Sequence, residues 1–171
     1  MFVIKSIGLL IVFIMCSYIG ITYSKKFSNR VRDLEEIKNA LYIFKAKIKY
    51  TYKPLSEIFC EISDEVNLNI AKIFKTTNKY LNNYIASEAW KKAVNECCND
   101  VYFNKEDLQA ICNLSKILGN SDLDGQINNI ELTCSLIDIQ LEKARKEEQK
   151  NTKLFKTLGA GIGLAIVIVL I

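Results

Sequence analysis

The 171-residue chain has no histidine, one proline, one tryptophan and two methionines. Without histidine there is no imidazole base for a serine or cysteine nucleophile, and a zinc site would need four thiolates. Six cysteines are present, but none forms a C-x-x-C pair. Cys60, Cys97, Cys98, Cys112 and Cys134 read as small core residues in a reducing compartment, with Cys16 inside an apolar run. No glycine-rich phosphate loop or nucleophile elbow appears. The carboxylate pairs Asp64-Glu65 and Glu106-Asp107 read as solvated helix ends. Nothing in this inventory implies an enzyme or a cofactor.

Charge is missing from both ends. Ser6 to Ser24 and Thr157 to Ile171 contain no charged side chain and are dense in Ile, Leu and Val. A helix needs about 20 apolar residues to cross a bilayer. The first run meets that length, with Tyr18 and Tyr23 near its inner end, where aromatic rings favour the headgroup level. The second is about 22 Å long as a helix and spans if Lys153 and Lys156 reach back to the interface. Gly159, Gly161 and Gly163 give it a smooth face for helix approach. Lys25 and Lys26 directly after the first run argue against a cleaved signal peptide.

The formal net charge of +4 conceals a pattern. Lys25 to Lys53 carries a net +6, Glu57 to Asp138 a net −6, and Glu142 to Lys156 a net +3. Basic residues lie on the inner side of each run, Lys25, Lys26 and Arg30 after the first and Lys153 and Lys156 before the second. The positive-inside rule then places the middle in the cytoplasm and both tails across the membrane. Basic charge beside the bilayer suits anionic lipid and leaves an acidic body unsuited to nucleic acid. The acidic residues Glu57, Glu61, Asp64 and Glu65 are the candidate partner contacts.

Periodicity in the middle is helical throughout. Val31, Leu34, Ile37, Leu41, Phe44, Ile48 and Tyr52 recur at three- and four-residue spacing, predicting a long helix that ends at Pro54. Pro54 suits the first turn of the next helix, which carries Leu55, Ile58, Phe59, Ile62 and Val66 on one face. Further helices are expected over 67–84, from an N-cap at Ser87 around Trp90, and from Asn104 to a C-cap at Gly119. Leu123, Ile127, Ile130, Cys134, Ile137, Leu141 and Ala144 predict a last helix as long as the first. The expected architecture is all-α: a bundle whose long first and last helices pack antiparallel and continue into two terminal transmembrane helices. It divides into an anchor at 1–24, a cytoplasmic helical domain at 25–152 and a second membrane helix at 153–171.

One segment has a second reading. Asn120 to Glu131 (N-S-D-L-D-G-Q-I-N-N-I-E) aligns with a twelve-residue calcium loop, with Asn120, Asp122, Asp124 and Glu131 as candidate ligands. Position one is Asn, where that loop has Asp. Ser121 as an N-cap and Asp122 in a first turn explain the same residues without a metal. A calcium-responsive, membrane-tethered regulatory module is therefore the alternative function.

Several short motifs, in order, resemble one family. Tyr50-Thr51-Tyr52-Lys53-Pro54-Leu55 resembles its Y-G-x-T-P-L turn, and Glu88-Ala89-Trp90 its E-A-W helix. Leu118-Gly119-Asn120-Ser121-Asp122 with Gln126 resembles its L-G-x-x-D…Q junction, and Leu158 to Leu164 the L-G-x-x-x-G-L start of its last span. The chain is similar throughout to the stage III sporulation protein AB family, with Thr51 in place of that family's Gly and Lys53 in place of its Thr. The resemblance implies a helical domain like those of type II secretion F and pilus platform proteins. It also implies a place in the secretion-like complex joining mother cell and forespore. The expected location is the outer forespore membrane, facing the mother-cell cytoplasm. The expected partners are a secretion-type ATPase and the other membrane subunits of the complex.

Overall fold

A computed structural model describes the backbone at residues 2–116, 118 and 123–170. Within these it describes side chains other than those of 2–10, 12, 13, 16, 17, 156, 159, 160, 169 and 170. Six α-helices follow one another: α1 (Phe2–Thr51), α2 (Leu55–Glu65), α3 (Leu68–Tyr80), α4 (Ala86–Glu96), α5 (Lys105–Cys112) and α6 (Leu123–Leu170). No strand occurs among the described residues. The all-α expectation holds, and α1 and α6 are the two long helices, at 50 and 48 residues.

The chain divides into two compact units, one of 1–29 with 143–171 and the other of 30–142. In the second unit α1 and α6 run antiparallel. Lys38 Nζ donates to Asp138 at 2.5 Å and Lys45 Nζ to Glu131 at 2.5 Å, so seven residues forward on α1 is seven back on α6. Each helix buries the predicted stripe: Val31, Leu34, Ile37, Leu41, Phe44 and Ile48 on α1, and Ile130, Cys134, Ile137, Leu141 and Ala144 on α6. Ile127 is half-buried and Leu123 exposed, so the stripe fades at the start of α6.

The short helices close the core with rings. Phe44 and Phe59 lie 5.2 Å apart between centroids, Phe59 and Phe74 5.8 Å, and Phe74 and Trp90 5.4 Å edge-on. These rings join α1, α2, α3 and α4. Trp90 is fully buried and its indole N–H donates to the Ile111 carbonyl at 3.0 Å, which satisfies its one polar atom and attaches α5.

Local chemistry sets the helix ends. Asn67 caps α3, its side-chain oxygen accepting from the Ile70 N–H at 3.1 Å. Asn104 and Asp107 form a reciprocal capping box on α5, at 2.8 Å in each direction. Three details depart from expectation. α1 stops at Thr51 and Pro54 is the residue just before α2, with φ −64° and ψ 149°, instead of lying in its first turn. Ile85 precedes α4, so Ser87 lies within its first turn and does not cap it. α5 stops at Cys112 and a 3₁₀ turn follows at Asn113–Lys116, where the Ser115 hydroxyl donates to the Cys112 carbonyl at 2.6 Å. The expected caps at Gly119 and Ser121 lie outside the described residues.

In the other unit α1 and α6 also meet. Phe155 of α6 stacks between Tyr23 and Phe27 of α1, at 6.0 and 5.9 Å. The Ser28 hydroxyl donates to Glu148 at 2.5 Å. Among the described residues no helix is long and apolar enough to cross a membrane. Much of each terminal run, including the Cys16 side chain, lies outside the described residues.

Candidate functional site

The acidic face expected to meet a partner lies on α2, and α1 brings lysines to it. Lys47 Nζ reaches Glu61 at 2.7 Å and Glu65 at 2.9 Å, while Lys53 reaches Glu57 at 2.8 Å and also pairs with Glu61. Hydrogen bonding to Lys47 and Lys53 holds the Glu61 carboxyl below its usual range, and bonding to Glu57 and Glu61 raises the Lys53 ammonium above its own. Glu57, Glu61 and Glu65 are thus locally neutralised. Asp64 is exposed and outside this pairing. Sequence reasoning could see the carboxylates but not that the turn after α1 would fold Lys53 back over them.

That turn has its own feature. Tyr52 has φ 50°, the sole positive value at a non-glycine among the described residues, in a region that costs an L-residue roughly 1–2 kcal/mol. The left-handed residue is therefore Tyr52, one position after the Thr51 that replaces the family's glycine. Tyr52 was expected on the buried stripe of α1, but leaving the helix turns its ring out to 92% exposure, and Tyr50 is 70% exposed. Two exposed tyrosines beside a network of paired charges form a candidate contact surface of the 30–142 unit, since aromatic rings are enriched where interfaces are energetically strongest.

A second cluster is internal. Arg30, read from sequence as a membrane-flanking charge, is buried and forms a two-pronged ion pair with the fully buried Asp107, Nε to Oδ2 at 2.8 Å and Nη2 to Oδ1 at 3.0 Å. Asp107 is therefore not a solvated helix end. It completes the α5 capping box and compensates a buried guanidinium. One turn along α1, buried Asp33 accepts the Tyr102 N–H at 3.0 Å through Oδ2. Its Oδ1 has no hydrogen-bond partner among the described residues, with the Arg32 guanidinium 3.7 Å away. Burial pushes the Asp33 carboxyl up, and the Tyr102 bond and Arg32 offset this only in part. Together these contacts fasten the segment from Tyr102 to Asp107 onto α1.

The other candidates are placed as follows. Lys25, Lys26 and Lys153 are exposed, and the Lys156 side chain lies outside the described residues. Of the calcium-loop residues, Asn120 and Asp122 lie outside the described residues. Asp124 and Glu131 both lie on α6, about 10 Å apart along its axis at the usual rise, and Glu131 is engaged by Lys45. Cys97 and Cys134 are buried and Cys60 is exposed, so the core reading fails for Cys60. Burial pushes the Cys134 thiol up to about 11 and that of Cys97 upward as well, away from reactive thiolate.

Comparison with known proteins adds three findings. Residues 5–171 match the family model described as stage III sporulation protein AB. The chain is similar to the stage III sporulation protein AB of Bacillus subtilis (strain 168), 21% identical over 169 residues that cover 98% of this chain and 99% of that protein. It also resembles a solved structure of a stage III sporulation protein AB at a TM-score of 0.66 and 19% identity. That likeness covers 70% of this chain and 96% of the solved one.

Proposed function

This chain belongs to the stage III sporulation protein AB family and so has a role in sporulation, and from that premise we propose that it is a membrane-anchored scaffold of the secretion-like complex joining mother cell and forespore. In this reading the unit of 30–142 faces the mother-cell cytoplasm from the outer forespore membrane, where it docks a secretion-type ATPase and neighbouring membrane subunits. It carries no chemistry of its own.

The observation that carries the membrane part is an inversion of exposure. In the unit of 1–29 and 143–171 several large apolar side chains among the described residues point outward: Ile14, Met15, Tyr18 and Ile19 on α1, and Leu158, Ile162, Leu164 and Ile168 on α6. Water-exposed apolar surface of this extent marks contact with a membrane or another protein. Among the described residues of the two uncharged runs, the serine and threonine hydroxyls are satisfied within their own helices. Thr22 donates to the Tyr18 carbonyl at 2.9 Å, Ser24 to Ile21 at 2.7 Å and Thr157 to Lys153 at 2.9 Å, as a hydrocarbon environment requires. Exposed Lys25, Lys26, Lys150 and Lys153 at the inner ends support the orientation.

Docking is better sought at the α1–α2 turn than on the α2 carboxylates, because three of those four are already paired. The test is affinity capture of the full-length, detergent-solubilised chain from sporulating cells. Recovery of the secretion-type ATPase, reduced by Tyr50→Ala with Tyr52→Ala, is the expected result. Equal recovery with that variant removes the turn, and a further loss on Asp64→Lys would return the contact to α2. Absence of the ATPase from every capture, with folded protein, sinks the docking role.

A further inference from the structure

A groove of about 340 Å³ runs along α6, lined among the described residues by Lys150, Lys153, Leu154, Thr157 and Leu158. Its two halves differ in chemistry. Lys150 and Lys153 lie one turn apart at one end, both exposed, and neither makes an ion pair among the described residues. Leu154 and Leu158 lie at the other, 44% and 49% exposed. Thr157 donates its hydroxyl to the Lys153 carbonyl, so the middle of the groove offers no free donor to compete.

We infer that this groove is a specific site for one anionic phospholipid. The Lys150 and Lys153 ammonium groups receive the phosphodiester and the first methylenes of an acyl chain lie along Leu154 and Leu158. The contrast with the ion-paired lysines of the 30–142 unit supports this. Lys38, Lys45, Lys47, Lys53 and Lys72 all engage carboxylates. The pair at 150 and 153 does not, and it meets uncharged sequence at Thr157. A phosphate bound by two ammonium groups needs such free cations, and a lipid in particular needs the apolar floor beside them. The site rests on the membrane reading above and adds to it a residue-level preference for lipid headgroup charge.

The test is reconstitution of the full chain into vesicles of phosphatidylcholine alone or doped with phosphatidylglycerol, followed by native mass spectrometry of the lipid retained. Selective retention of phosphatidylglycerol is expected. Lys150→Gln with Lys153→Gln should weaken it on the order of 10- to 30-fold, whereas Lys25→Gln with Lys26→Gln, an equal loss of charge elsewhere, should weaken it far less. Equal loss with both variants would mean diffuse attraction and overturn the site. So would retention that soluble glycerol phosphate displaces, which needs no acyl chain. Incorporation without headgroup preference overturns the site and leaves the membrane reading standing. Failure to incorporate into either vesicle overturns both.

Discussion

The units of 30–142 and of 1–29 with 143–171 are built from opposite uses of the same residue types. In the first, Phe44, Phe59, Phe74 and Trp90 are fully enclosed and polar groups are drawn inward to meet partners, as Arg30 meets Asp107. In the second, the aromatic contacts among the described residues are those of Phe155 with Tyr23 and Phe27, and several large aliphatic side chains face outward. The first is a protein that carries its own apolar solvent. The second, in the proposed reading, borrows one from a bilayer. Amphipathic periodicity is strong in α2 to α5, where one face must be water-soluble, and in the proposed reading the uncharged ends need no such face.

The sharpest attack on this contrast is Trp90→Ala. It empties the centre of a closed core and strands the Ile111 carbonyl, and should cost about 3–5 kcal/mol in denaturant unfolding of the detergent-solubilised chain. Phe155→Ala should cost no more than about 0.5–1.5 kcal/mol, the scale of an aromatic contact with little enclosure. Equal losses would erase the distinction between the units. Asp107→Ala comes next at about 3 kcal/mol, since it leaves Arg30 buried without its counter-charge and removes half of a capping box. Arg30→Met combined with Asp107→Leu should recover most of that. If the double substitution is as damaging as the single one, the pair serves more than charge compensation.

A smaller effect is expected at Asp33. Burial raises its carboxyl in the folded chain, so the folded state holds that proton more tightly than the unfolded one. Stability should then fall as pH rises from about 4, the ordinary carboxylate value, through the raised one. Asp33→Asn keeps an acceptor for the Tyr102 N–H and should raise Tm at pH 7, with the gain vanishing on acidification below about 4. A gain independent of pH would assign it to packing instead. The smallest effect is at Tyr52, where Tyr52→Gly relieves a left-handed backbone and should stabilise by up to about 1 kcal/mol, less the entropy glycine adds to the unfolded chain. Clear destabilisation would mean that the exposed ring makes a contact within the chain after all.

Legibility tracked how local the controlling physics was. The heptad-like stripe of α6 and the start of α5 at Asn104, with Asp107 three residues on, rest on spacing within one face or one turn, and each was readable from the sequence. Where a residue's fate depends on a distant partner, reading failed. Arg30 looks like one more basic residue beside the membrane until Asp107 is placed against it, and Glu57, Glu61 and Glu65 look like an open acidic face until Lys47 and Lys53 arrive. Cys60 shares the composition of its buried counterparts but faces out, because α2 presents Ile58, Phe59 and Ile62 to the core instead.

By itself the sequence determined the helical class, the two long framing helices and the uncharged ends, because periodicity and the absence of charge are properties of the chain read in order. It also carried the family, through short motifs spread along its length. Tertiary structure alone decided which charges are free. Ion pairing depends on which side chains are brought within a few ångströms across separate helices, and that distance is written nowhere in the spacing of either partner.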